Sequence, residues 1–221
     1  MKLVCYNVSQ IIEIKQGYIS EIVIENQNVF RNTIKDLSQL EAGEIGQSIL
    51  SINNKPVEFS KNAVLITEFA PLQFNKKTLI TKIVQRMEKL SIEPENYIHT
   101  MELMSSLEKM LFELSLELPC ELTFEKLNFA NVIKSVGIDI AESEKDDVEK
   151  ILDYMSLVRE LDREKLFIFV NMRSYYTDEQ MNTFLRTLLG HDYRVVLIES
   201  IAREKLADTK RIILDKDLCE I

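Results

Sequence analysis

The chain predicts an α/β protein in which a mostly parallel sheet is interrupted by a long α-helical excursion. Three observations carry that reading. Strand and helix patterns alternate towards both ends of the chain, as in a parallel sheet with crossover helices. Between residues 78 and 161 strand signals nearly vanish and Gly137 is the sole glycine. The 221 residues, 46% hydrophobic and 29% charged, are enough for one packed domain with an inserted segment and too apolar for wholesale disorder. Residues 1–77 and 162–221 are therefore expected to form a discontinuous α/β head, and 78–161 the helical excursion.

Taken in order, residues 3–6, 11–14 and 19–24 are β-rich, and Gln16-Gly17 supplies a hairpin-like turn. Residues 26–40 read as a helix, because Val29, Ile34, Leu37 and Leu40 are spaced for one apolar face. Residues 48–52 and 57–59 flank Asn53-Asn54-Lys55-Pro56, which is turn chemistry and predicts a hairpin. Residues 63–69 (AVLITEF) form a bounded apolar strand buried on both faces. In the middle, 78–90 is a helix, and Pro94 suits the first turn of the next one. Residues 97–118 place Met101, Met104, Leu107, Leu111, Leu114 and Leu118 at steps of three or four, a seam for packing against another helix, with Pro119-Cys120 ending it. Residues 124–135 and 145–161 are further amphipathic helices. The strands then return at 165–171 (KLFIFVN), 194–199 (RVVLIE) and 211–214, with a helix over 178–189 capped near Thr177.

Composition narrows the function classes. Two histidines and three scattered cysteines do not supply the paired ligands of a zinc cluster. Cys5, Cys120 and Cys219 are odd in number and suggest no disulfide framework, so a reduced cytoplasm is expected. The longest strictly apolar run, Leu166–Val170, is far too short for a bilayer, and the N-terminal apolar stretch breaks by Asn7, so no membrane span or secretory signal is expected. With 27 Lys+Arg against 36 Asp+Glu the net charge is −9, which argues against a generally basic nucleic-acid coat. A local basic patch remains open, since a phosphate backbone responds to the potential it meets locally.

The junction between 63–69 and the helix at 78 is where a phosphate-binding loop G-x-x-x-x-G-K-[ST] would lie. The eight residues are Pro71-Leu72-Gln73-Phe74-Asn75-Lys76-Lys77-Thr78. Lys77 and Thr78 occupy the Lys and Ser/Thr places, but Pro71 and Lys76 replace both glycines. Such a loop needs glycines because its backbone N–H groups converge on phosphate in conformations that cost other residues energy, and proline lacks the N–H altogether. The strand 165–171 likewise ends in Asn171 where a metal-holding Asp would stand. The reading is a P-loop-like sheet with a degenerate phosphate loop. No hydrolysis and no bound nucleotide are expected.

Two charged arrays stand out. Lys82, Arg86 and Lys89 recur at i, i+4 and i+7, preceded by Lys76 and Lys77, beside an apolar stripe of Leu79, Ile83, Met87 and Leu90. A solvated helix face is the plain reading; contact with DNA phosphates is the sharper one. Glu113, Glu117, Glu121 and Glu125 recur every four residues around Pro119. They form either an exposed acidic rim or, if the chain turns there, a set of carboxylates able to hold Ca²⁺.

Several stretches in succession resemble one family. Residues 132–138 (VIKSVGI) are similar to a family segment L-I-K-S-L-G-I. The strand 165–171 (KLFIFVN), the helix start Tyr176-Thr177-Asp178-Glu179, the strand 195–199 (VVLIE) and 211–217 (RIILDKD, beside a terminal Y-I-L-D-E-D) follow in the same order and spacing. The family is the CRISPR-associated Csn-two proteins of type II-A systems, which act in spacer acquisition. The resemblance implies an α/β head related to P-loop proteins with a helical excursion. It implies a ring-shaped homotetramer whose positive inner surface holds linear double-stranded DNA threaded from its ends, with calcium ions stabilising the arrangement. It also implies work beside the CRISPR integrase and the guide-directed nuclease, without catalysis. DNA contact by Lys76, Lys77, Lys82, Arg86 and Lys89 is read from charge and not from the family. The alternatives are an ATPase or kinase with an atypical phosphate loop, using Lys77 and Thr78, and a protein adaptor that does not itself bind DNA.

Overall fold

The computed structural model describes residues 1–221 apart from Gln16, Pro71, Gln73, Asn75, Glu142, Ser143, Arg163 and Glu164, and for Lys76 it describes the backbone alone. The chain divides into two compact units, one of Met1–Phe74 with Lys145–Ile221 and one of Asn75–Glu144.

The first unit holds two sheets. Strands β1 (Lys2–Val4) and β2 (Ile12–Glu13) pair antiparallel, and β1 also pairs with β4 (Ile49–Ile52), which in turn pairs with β5 (Lys55–Pro56). Asn53 and Asn54 connect β4 to β5 with φ of 51° and 59°. A two-residue hairpin turn with positive φ at both positions suits the right-handed twist of its strands, and asparagine tolerates it. The hairpin is thus tighter than the sequence indicated: Lys55 and Pro56 are strand residues. Val57 still donates to the Leu50 carbonyl, but the expected strand residue Phe59 opens a short helix, α2 (Phe59–Asn62).

The second sheet is parallel throughout. It consists of β3 (Ile19–Ile24), β6 (Ala63–Ile66), β7 (Leu166–Val170), β8 (Arg194–Glu199) and β9 (Thr209–Leu214), in the order β6-β7-β8-β3-β9. β3 therefore pairs with β8 and β9, and β2 with β1. The hairpin expected at Gln16-Gly17 does not form, and Gln16 itself lies outside the described residues. Helix α1 (Gln27–Glu41) covers one face of the parallel sheet: Leu37 lies in one core with Ile22, Ile168 and Val196. Its first turn is capped by Asn26, whose side chain accepts from the Val29 N–H. Helix α7 (Asp178–Gly190) covers the other face, with Phe184 edge-on to Phe169 at 5.5 Å; Thr177 and Gln180 close a capping box at its start.

Neither edge of this sheet is bare. On β6 the Leu65 N–H donates to the Glu41 carboxylate at 2.8 Å. On β9, Ile213 and Ile221 exchange backbone hydrogen bonds of 2.8 and 3.1 Å.

The second unit contains α3 (Lys76–Ser91), α4 (Pro94–Ser115) and α5 (Phe129–Ser135), with α3 packed on both of the others. Its core is small: Val84, Ala130 and Ile133, with Ile80, Phe129 and Ile138 against them. Residues 124–128, expected in a helix, have no regular structure, because α5 begins only where the Asn128 side chain caps the Ala130 N–H. Helix α6 (Asp147–Asp162), expected within an excursion of 78–161, belongs to the sheet unit. There it buries Ile151, Met155 and Val158, and Arg159 donates to the His191 carbonyl.

Candidate functional site

The basic array lies on α3. At about 100° per residue Lys82, Arg86 and Lys89 share one side of the helix, while Lys77, five residues before Lys82, falls about 140° away. The five expected DNA contacts therefore reduce to a face of three. Lys77 is exposed elsewhere, and the side chain of Lys76 lies outside the described residues. Val84 is buried on the opposite side and Leu79 is buried about 20° around the helix from Arg86, whereas Met87, expected in the apolar stripe, is 39% exposed. Arg86 meets Glu93 at 3.5 Å with both side chains more than two-fifths exposed, a geometry worth little energy.

The four glutamates do not converge. Glu113 is on α4 and meets Lys109 at 3.8 Å; Glu117 follows the end of that helix; Glu121 and Glu125 lie in the irregular segment. Among the described residues no group of three or more His, Cys, Asp or Glu is placed to hold a metal ion. The set does not fit a calcium site within one chain.

The junction 71–78 leaves the sheet from β6, an edge strand. Pro71, Gln73, Asn75 and the Lys76 side chain lie outside the described residues. In an open α/β sheet ligands bind beyond the carboxyl ends of the strands where the strand order reverses, and here that reversal is at β3, between β8 and β9. There the link from β3 to α1 is only Glu25 and Asn26. An eight-residue phosphate loop has no room, and Asn26 itself occupies the Val29 N–H.

Around the same carboxyl ends the structure assembles a buried ionic network that sequence reasoning missed. Arg173, 1% exposed in the turn after β7, donates through Nη1 to Glu21 at 2.9 Å and through Nη2 to Asp178 at 2.9 Å and to the Glu204 carbonyl at 2.8 Å. The Arg211 Nε donates to the second Glu21 oxygen at 2.6 Å. The Arg173 backbone N–H donates to Glu199, which ends β8. Burial pushes the Glu199 carboxyl up to about 7, against the pull of that N–H, and the neighbouring Glu21 charge adds to the rise. Asn171, in the metal-holding place, is left-handed (φ 55°) and accepts from the Ser200 N–H at 2.8 Å, so it ties β7 to the loop after β8. The missed signal was present: Glu21 lies within β3 and Glu199 ends β8, both in strands whose positions are otherwise mostly apolar.

Helix α4 is the remaining feature. Only Met104 is buried, while Ile98, Met101, Leu103, Met110, Leu111, Phe112 and Leu114 are exposed. The expected seam is covered at Met104 and partly at Leu107; beyond them its apolar side faces solvent. No helix among the described residues is long and apolar enough to cross a membrane.

Comparison with known proteins places this arrangement. The model of the family CRISPR-associated protein (Cas_Csn2) matches residues 40–218. The crystal structure of Stu0660 of Streptococcus thermophilus is similar in fold, with a TM-score of 0.57 and 15% sequence identity over 91% of this chain and 69% of that one. The chain belongs to the Cas_Csn2 family of CRISPR-associated proteins.

Proposed function

We propose that this CRISPR-associated protein is a non-catalytic, ring-forming binder of linear double-stranded DNA that serves spacer acquisition, working beside the CRISPR integrase and the guide-directed nuclease. The observation that carries the DNA reading is the Lys82–Arg86–Lys89 side of α3, a basic face in a chain of net charge −9. Three cations at one-turn spacing follow a phosphate backbone without reading bases. The apolar side of α4 supports self-association into a homotetramer, in which acidic charge can face outwards while the basic faces line a lumen. The two-residue β3–α1 link, too short for a phosphate loop, supports a sheet that binds no nucleotide.

The test is mass in solution together with binding to linear and covalently closed circular duplexes, with and without Ca²⁺. A tetramer that prefers linear DNA and loses affinity steeply with salt is expected, each phosphate contact adding about 0.9 to the slope of log K against log salt. Equal affinity for both DNA forms, or a monomer that binds neither, overturns the ring. The exposed apolar side of α4 also favours a second reading, a protein adaptor. DNA affinity left intact by Lys82→Glu with Arg86→Glu would support it. Calorimetry with ATP on the parent chain and on Lys77→Ala addresses the kinase alternative, and no binding to either is expected.

A further inference from the structure

At the amino-terminal end of the parallel strands, opposite the ionic network, the sheet unit has a cleft of about 330 Å³. Four cationic side chains reach it from four elements: Lys15 after β2, Arg159 from the last turn of α6, Lys165 just before β7, and Arg194 opening β8. Lys165 is 8% exposed and is held by Asp162 at 3.1 Å; Lys15 is held by Glu13. Arg159 differs from them. Its Nη1 donates to the His191 carbonyl at 2.8 Å and its guanidinium carbon stands 4.5 Å from the centre of the Tyr193 ring, itself edge-on to Phe167 at 6.0 Å. A carbonyl and a ring face orient this guanidinium without cancelling its charge, and no carboxylate pairs with it among the described residues. Among the described residues one acid, Asp192, lines the cleft itself.

We propose that this cleft is a binding site for a phosphoryl group. A tetrahedral, multiply charged oxyanion accepts donors converging from several directions, and an arginine fork matches two of its oxygens. The volume exceeds a bare phosphate, so the group can be carried by a small phosphorylated molecule or by the terminal phosphate of a nucleic acid. The site shares no residue with the basic face of α3 and does not depend on DNA binding there.

Inorganic phosphate titrated calorimetrically into the full chain, at constant ionic strength and against a chloride control, tests the proposal. Saturable, phosphate-specific binding is expected, about tenfold weaker in Arg159→Gln and a few-fold weaker in Lys15→Gln, two exposed positions whose substitution spares the core. Reversal of Lys82 and Arg86 is expected to leave it unchanged. No saturation above chloride, or equal affinity in both cleft variants, overturns the site. Duplexes with 5′-phosphate and 5′-hydroxyl ends then separate the carriers. A phosphate-dependent gain abolished by Arg159→Gln assigns the nucleic-acid terminus; equal duplex binding beside intact phosphate binding assigns the small molecule.

Discussion

The sheet unit and the helical unit solve the burial problem differently. The sheet unit sandwiches five parallel strands between helices, and its polar interruptions are gathered into one network in which Glu21 is shared by Arg173 and Arg211. The helical unit has three buried side chains in its core cluster and leaves most of a 22-residue helix exposed, large apolar side chains among them. The first unit is specified from within its own chain; the second carries surface that makes sense against another molecule. If that contrast is right, damage to the two units separates into loss of folding and loss of association.

The largest effect is expected from Arg173→Ala. It removes the Arg173 guanidinium from the buried Glu21, which keeps Arg211, and from Asp178, while the backbone N–H to Glu199 stays. Breaking a buried pair by removing one partner costs about 3–5 kcal/mol, and chemical denaturation followed by circular dichroism measures it. Next comes the pH dependence of Glu199. Its carboxyl rises from the usual 4.5 to about 7 in the folded protein, so the stability it contributes is complete below about 4.5 and is lost as pH climbs through about 7. Glu199→Gln keeps the acceptor for the Arg173 N–H. It is expected to flatten that slope and to raise stability at pH 8 by on the order of 3 kcal/mol. In the helical unit Ile133→Val is expected to cost about 1 kcal/mol. A loss as large as that from Arg173 would erase the proposed contrast. Smallest in stability is Leu111→Lys with Leu114→Lys on α4, within about 0.5 kcal/mol for the isolated chain, yet the mass in solution is expected to fall. A mass unchanged by those two lysines would show that this side is not an assembly surface.

Much of this was legible in the sequence, for reasons tied to range. The helices 26–40 and 78–90 and the strands at 19–24 and 194–199 follow from periodicities of a few residues, and the Lys82–Arg86–Lys89 face from helical spacing. Partner choice is not local. Residues 11–14 and 19–24 look like a hairpin around Gly17, but each strand finds its mate elsewhere in the chain. The Arg173–Glu21 pair spans 152 positions, so no window shows it. The four glutamates failed for the opposite reason: their spacing of four persists in the sequence after the helix that would align them has ended at Ser115.

The occupied margins of the parallel sheet limit how copies of this protein can meet. With Glu41 on one outer ladder and the backbone of Ile221 on the other, an incoming extended segment finds no row of open amides and carbonyls at these positions. Growth by strand addition, the route to fibrils and to β-augmented complexes, is blocked there. Association through this sheet then runs through side-chain surfaces, which respond to single substitutions and to salt.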